Sequence, residues 1–203
     1  MFEKDIEARG VSDPATLRAL RAVERHRFVD PELEARAYDD RPLPIGFGQT
    51  ISQPYIVAFM TETIQPKPGQ KVLEIGAGSG YQAAVLAEIV DQVYTVEIVP
   101  PLARQAKERM KALGYDNVHV REGDGFYGWP EEAPFDAIVV TAAAEYIPPP
   151  LIEQLKEGGR MIIPVGSPLR TQHLMLVEKK DGQVTTRNLM PVRFVPFSRD
   201  RDN

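Results

Sequence analysis

From Lys71 onward the apolar positions switch repeatedly between two periods. Short apolar runs of strand length lie at 71–75, 93–97, 117–121, 135–141 and 160–165, with helical stripes between them at 81–90, 100–113 and 149–156. Strand and helix in alternation predict βαβ units, hence a parallel sheet with helices on both faces. Gly114 follows the second stripe and Gly158-Gly159 the third, where a glycine closes a helix. The tail reads differently. Residues 172–180 and 183–190 flank Asp181-Gly182, a strong hairpin signal, so the sheet is expected to end in antiparallel strands. The predicted fold is α/β: a doubly wound mixed sheet, mostly parallel, with an antiparallel C-terminal hairpin.

The first 66 residues are helical in pattern. Asp13-Pro14 supplies an N-cap and a proline for the first helical position, and Leu17, Leu20 and Val23 form a stripe behind it. Asp30-Pro31 repeats the device for a short helix. Residues 39–50, rich in Pro and Gly, read as a loop. A helix from Pro54 to Ile64 follows, with Ile56, Phe59, Met60 and Thr63 as its apolar face. With no repeat and no low-complexity linker, the 203 residues are expected to form one domain. Its parts are an N-terminal segment (1–66), a ligand-binding βαβ core (67–166) and a C-terminal hairpin and strand (167–203).

Composition narrows the function. Net charge is −5 and basic residues are scattered, which argues against nucleic acid as a partner. There is no apolar run of about 18 residues and no charged-then-apolar leader, so a cytoplasmic protein without a membrane partner is expected. The absence of cysteine excludes disulfides, thiol catalysis and thiolate metal sites. His26, His119 and His173 are isolated, and no pair has metal-ligand spacing, so no metal site is expected.

The densest chemistry lies in Lys71-Val72-Leu73-Glu74-Ile75-Gly76-Ala77-Gly78-Ser79-Gly80-Tyr81. A strand, a glycine turn and a helix N-terminus in succession are where an α/β fold holds a nucleotide-like ligand. The spacing is Gly-x-Gly-x-Gly, not the Gly-x-Gly-x-x-Gly of a dinucleotide site, which weighs against a nicotinamide oxidoreductase. Glu97 ends the next strand, 21 residues after Gly76, where a carboxylate accepts hydrogen bonds from ribose hydroxyls. Asp124, in Gly123-Asp124-Gly125, ends the third strand; the residues suit an acceptor for an adenine amino group and a plain turn equally. Ser52, in Gly46-Phe47-Gly48-Gln49-Thr50-Ile51-Ser52-Gln53-Pro54, is on residues alone best read as a helix cap or turn residue. Pro54 pulls the other way: at the first helical position it would make Gln53 the cap and free the Ser52 hydroxyl.

With Glu74 two residues before Gly76, the glycine turn resembles the first motif of class I S-adenosylmethionine methyltransferases, a Rossmann-like superfamily. The segment Pro44–Pro54 narrows the resemblance to the protein-L-isoaspartate O-methyltransferase family. Arg27-Phe28-Val29, Gly123-Asp124-Gly125, Phe135–Ala143, Leu155–Gly166 and Val192–Pro196 extend it over essentially the whole chain. The resemblance implies methyl transfer from S-adenosyl-L-methionine to the free α-carboxylate of L-isoaspartyl residues, with release of S-adenosyl-L-homocysteine. The ester then closes to a succinimide, which reopens partly to normal aspartate. D-aspartyl residues are a further substrate to test. The implied partners are isoaspartyl peptides and age-damaged proteins, met by a monomer.

The resemblance further implies that Ser52 is the active-site serine and that Thr50, Ile51, Gln53 and Val195 line the peptide cleft. Gly76, Ala77, Gly78, Ser79, Tyr81, Glu97, Asp124, Gly125 and Thr141 would hold the cofactor. Many relatives carry Arg after the ribose glutamate, where this chain has Ile98. The nucleophile is a carboxylate with a pKa near ~3.5–4, already ionised at neutral pH, so no general base is expected. The rival readings are a methyltransferase with another acceptor and a nucleotide-binding module without turnover.

Overall fold

The computed structural model describes residues 1–167 and 170–200. In chain order its elements are α1 (Pro14–Ala22), β1 (Leu43–Pro44), β2 (Thr50–Ile51), α2 (Pro54–Ile64), β3 (Lys71–Ile75), α3 (Tyr81–Ala87), β4 (Gln92–Glu97), α4 (Pro100–Leu113) and β5 (Val118–Glu122). β6 (Phe135–Val140), α5 (Pro149–Gln154), β7 (Leu155–Val165), β8 (Gln172–Lys180) and β9 (Gln183–Val192) follow. Short 3₁₀ turns connect several of them.

The seven strands β3–β9 form one sheet in the order β5-β4-β3-β6-β7-β8-β9. β3 pairs in parallel with β4 and with β6, so the chain winds outward to β5 and then crosses to the other side of β3. That reversal opens a crevice at the C-terminal ends of β3 and β6, where α/β sheets bind ligands. β8 and β9 run antiparallel, joined through Asp181 and Gly182, whose φ values of 54° and 72° fit a two-residue type I′ turn. The doubly wound, mostly parallel mixed sheet with an antiparallel end is as the periodicity predicts.

Alternate residues of the central strands serve two cores. Val72, Ala137, Val139 and Ile162 face α2, α3 and α4, with Tyr81, Leu86, Leu102 and Met110 packed among them. Leu73, Ile75, Ile138, Val140, Met161 and Ile163 face the other way, against Leu151 of α5 and the half-buried Trp129. The first face carries more helix than the second.

Local chemistry sets the helix ends. Asp13 caps α1, its carboxylate accepting the Thr16 N–H at 2.7 Å, and Pro14 occupies the first helical position. Gly114 closes α4 in the left-handed conformation, as read from the sequence.

Four expectations are corrected. The amphipathic face read for α2 is too narrow: Tyr55, Val57, Ala58, Thr61 and Ile64 are also buried, while Phe59 and Thr63 are only half-buried. The helix is wedged between α1, α3 and the sheet, and burial on most sides erases amphipathic contrast. α3 stops at Ala87, and α5 stops at Gln154, before the glycines read as its end. The chain leaves the helix at Leu155, whose extended backbone (φ −76°, ψ 127°) starts β7 beside Phe135, while the Gln154 side chain accepts from the Trp129 N–H and donates to Tyr127 O, both at 2.8 Å. Gly158-Gly159 instead interrupt β7, where a Cβ on Gly159 would lie 2.7 Å from Lys156 O and 2.9 Å from Asp136 O. Lastly, residues 39–50 are more than a loop: β1 pairs with β2 in a small antiparallel ribbon, Leu43 opposite Ile51.

Candidate active site

The glycine turn sits at the crevice because β3 ends there. Gly76 N–H donates to Val96 O at 2.8 Å, and the Thr141 hydroxyl, just past β6, donates to Gly76 O at 2.8 Å. Gly76 has φ +96° and a Cβ there would meet Thr141 Oγ1 at 2.5 Å; Gly78 has φ +53° and a Cβ there would meet Ile45 at 3.2 Å. Both positions need glycine for conformation, and Gly76 needs it for space as well. Ala77 and Ser79 complete the turn, Ser79 held through its carbonyl by Arg109 at 2.7 Å, and Tyr81 opens α3 with its ring buried.

Glu97, at the tip of β4, is 5% exposed and accepts from Gly78 N–H at 2.7 Å and Val99 N–H at 2.9 Å. Each oxygen keeps a lone-pair direction for a further donor. A narrow pocket lies against it, walled by Gly76, Gly78, Ile98, Gly125, Thr141 and Phe197. Asp124 behaves as the turn residue that was one of its two readings: it accepts the Phe126 N–H at 2.9 Å and pairs with Arg199 at 2.7 Å. Its neighbour Gly125 forms the pocket wall.

Glu74 is wholly buried behind the turn. The Thr95 hydroxyl donates to one of its oxygens at 2.5 Å, and the other has no partner. Burial is the main cause that pushes its carboxyl up to about 8, reinforced by Glu97 and opposed by Thr95.

Ser52 lies on the wall of a neighbouring cleft of about 670 Å³, with Thr50, Gln53, Ile56, Thr141, Arg193 and Val195. Gln53, not Ser52, is the N-cap residue of α2, and Pro54 fills the first helical position. The capping reading of Ser52 is thereby corrected: its hydroxyl makes no cap bond. Ile51 is buried and pairs with Leu43, pinning the segment from below. Val195 is placed by the segment after β9, which forms no further strand but a single parallel bridge of Pro196 with Ala143 just past β6, Ala143 N–H donating to Val195 O at 2.8 Å and Phe197 N–H to Ala143 O at 2.9 Å. Thr50, Thr141 and Val195 line both the cleft and the pocket, so the two open into one another.

The structure thus brings together all the sequence-predicted positions except the Asp124 side chain, which faces Phe126 and Arg199. It also adds Gln49, from within the Gly46–Pro54 segment, and Phe197, Arg25, Asp40 and Arg199, which stand in no motif singled out for chemistry. The histidines lie apart from both cavities. His26 bonds Tyr38 at 2.9 Å, His119 bonds Gln92 at 2.6 Å and His173 bonds Asn188 at 2.9 Å. Among the described residues no group of three His, Cys, Asp or Glu could hold a metal, and no helix is long and apolar enough to cross a membrane.

A sheet of this order, with its ligand crevice at the reversal beside β3 and an antiparallel end, is the architecture of class I S-adenosylmethionine-dependent methyltransferases, and this chain is one. The family model for protein-L-isoaspartate(D-aspartate) O-methyltransferase matches residues 1–202, and the chain belongs to that family. It is 60% identical over 201 residues to a protein-L-isoaspartate O-methyltransferase of Opitutus terrae, covering 99% of this chain and 86% of the relative. The relative of that name in Gloeobacter violaceus is 55% identical over 201 residues, covering 99% and 98%. Among solved structures, one protein-L-isoaspartate O-methyltransferase superposes with a TM-score of 0.85 at 34% identity, over 94% of this chain and 62% of that one. A Plasmodium falciparum protein described as a putative protein-L-isoaspartate O-methyltransferase, in complex with S-adenosyl-L-homocysteine, gives 0.83 at 28% identity, over 96% and 95%. The function that goes with the family is S-adenosylmethionine-dependent methylation of isoaspartyl residues in protein repair.

Proposed function

We propose that the pocket at the glycine turn holds S-adenosyl-L-methionine and that Ser52 presents the α-carboxylate of an L-isoaspartyl residue to it. The observation that carries this reading is the shared wall: Thr50, Thr141 and Val195 border both the pocket and the Ser52 cleft. When bound, the cofactor supplies a methyl group activated on a sulfonium cation. Glu97 accepts from the ribose hydroxyls, and Gly76–Ser79 and Tyr81 shape the turn beneath. Gly125 walls the adenine side, with Asp124 holding that turn in shape.

The chain's own residues do the positioning. The Ser52 hydroxyl, which bonds no other side chain or backbone group among the described residues, donates to the substrate carboxylate, and Thr50 assists. Ile51, Gln53 and Val195 contact the flanking peptide. Phe197 and the segment before it exclude water from the junction. Because the acceptor oxygen is already anionic, the site needs alignment rather than proton abstraction. The partner is an isoaspartyl-bearing peptide or an age-damaged protein, D-aspartyl residues being a further substrate. The chain acts as one domain, as a monomer in the cytoplasm, without nucleic acid or membrane; the net charge of −5 supports the exclusion of nucleic acid.

The test is a pair of long peptides that differ only in one isoaspartyl or aspartyl residue. The two carry equal charge and differ by one methylene moved between backbone and side arm, so only geometry separates them. A misplacement of about 1 Å can cost on the order of 10²-fold in rate. Methylation of the isoaspartyl peptide alone is expected, with the difference in kcat and a smaller one for very short peptides. Comparable rates on both isomers would return the chain to carboxyl methyltransferases at large.

A further inference from the structure

We propose that Arg25 and Asp40 are positioning residues for the reaction, gripping the Ser52–Tyr55 segment so that the Ser52 hydroxyl stands in the cleft with no tether of its own. The inference rests on the reading of Ser52 above.

Arg25 is 0% exposed, an expensive place for a charge, and two of its three nitrogens are used while Nη1 has no partner. Its Nη2 donates to Ser52 O and its Nε to Ala37 O, both at 2.7 Å. The guanidinium carbon lies 4.8 Å from the centre of the Tyr81 ring, at the first residue of α3. One planar fork therefore ties the carbonyl of Ser52 to the N-terminal segment and packs on the helix that follows the glycine turn. A lysine ammonium has no such fork.

Asp40 makes the second grip. Its carboxylate accepts the Tyr55 N–H at 2.9 Å and the Gln53 side-chain N–H at 2.8 Å, and its own carbonyl takes that Gln53 amide again at 3.1 Å. Arg9 holds the same carboxylate at 2.9 Å, above the Tyr55 ring. Pro54 has no N–H to give. So Ser52 is tied at its carbonyl, Gln53 at its side chain and Tyr55 at its N–H, in each case to Arg25 or Asp40. Where the Ser52 oxygen sits is left to its backbone, which these two residues hold from one side and the pairing of Ile51 with Leu43 holds from the other. A purely architectural Arg25 would give stability alone; an aligned methyl transfer gives it a kinetic signature.

The test uses Arg25→Lys and Asp40→Asn, each alone and combined with Ser52→Ala. The readouts are kcat and KM on an isoaspartyl peptide, S-adenosyl-L-homocysteine affinity by calorimetry, melting temperature, and amide exchange across residues 50–57. For Arg25→Lys a 10- to 100-fold loss in kcat is expected, on the order of what a 1 Å displacement costs. KM and cofactor affinity should stay within about twofold, and added exchange should be confined to residues 50–57. Asp40→Asn should do the same more weakly, and neither should lower kcat further once Ser52 is alanine. Where Ser52→Ala leaves too little rate to divide, the exchange pattern decides.

Unchanged kcat per folded molecule with a lowered melting temperature overturns the proposal, as does an equal loss of kcat in the presence and absence of the Ser52 hydroxyl. Wild-type kcat in Ser52→Ala alone overturns the role of Ser52, and this proposal with it. A wild-type protein inactive on every isoaspartyl peptide places the error in the function itself.

Discussion

The carboxylate of Glu97 accepts the backbone N–H of Gly78 at 2.7 Å, joining the tip of one strand to the glycine turn that follows its neighbour. The two features that sequence reading assigned separately to one ligand are thus a single unit, pre-set by the protein. Val99 N–H holds the other oxygen at 2.9 Å, so the carboxylate is oriented on both sides.

Breaking that unit should show in cofactor affinity. Glu97→Ala is expected to weaken S-adenosyl-L-homocysteine binding by about 1.5–3 kcal/mol, as for a hydrogen bond to a charged group. Gly78→Val should abolish binding, because φ is +53° there and the new Cβ would crowd Ile45 at 3.2 Å. Calorimetry showing unchanged affinity in both variants would sink the placement.

Ser52→Ala separates chemistry from capping. Gln53 is the N-cap residue and the Ser52 hydroxyl makes no cap bond, so the melting temperature should barely move. Loss of one hydrogen bond to a charged carboxylate should lower kcat/KM by about 10- to 100-fold. A normal kcat/KM together with a drop of about 1 kcal/mol in stability would restore the capping account.

The chemical step should not depend on a histidine. All three histidines are bonded to neutral partners outside both cavities. Single-turnover methyl transfer at saturating cofactor is expected to be nearly flat from about pH 6 to 8. A steep rise through neutrality that disappeared in a His26, His119 or His173 variant would reveal an overlooked base.

Glu74 sets a pH dependence of stability instead. Its carboxyl is raised from 4.5 to about 8 in the folded protein, mainly by burial. The folded state therefore keeps a proton that the unfolded chain releases, and stability falls as pH rises from near 4.5 through about 8. Within that window the slope from this one group approaches about 1.4 kcal/mol per pH unit. Glu74→Gln should remove that component of the slope. Parallel denaturation profiles for the two proteins between about pH 5 and 8 would show that Glu74 ionises freely.

The sequence by itself determined whatever rests on short-range geometry. Side-chain period, proline at the first helical position, Asp181-Gly182 and Gly114 act within a few residues, and the strands, most helices and the hairpin are where those signals put them. The glycine turn and the acidic tip of β4 were legible for the same reason: a parallel sheet must bring the ends of adjacent strands together. The tertiary structure decided everything that depends on which distant segments meet. It turned α2 from an amphipathic helix into a mostly buried one, and it ended α5 early because Leu155 is taken into the sheet beside Phe135. It also laid Val195 beside Ala143 and gave the carboxylate of Asp124 to Arg199, 75 residues away. Arg25 shows the limit most plainly. An arginine is expected in water, and the carbonyls of Ala37 and Ser52 and the ring of Tyr81, brought to it by folding, offset its burial although Nη1 keeps no partner.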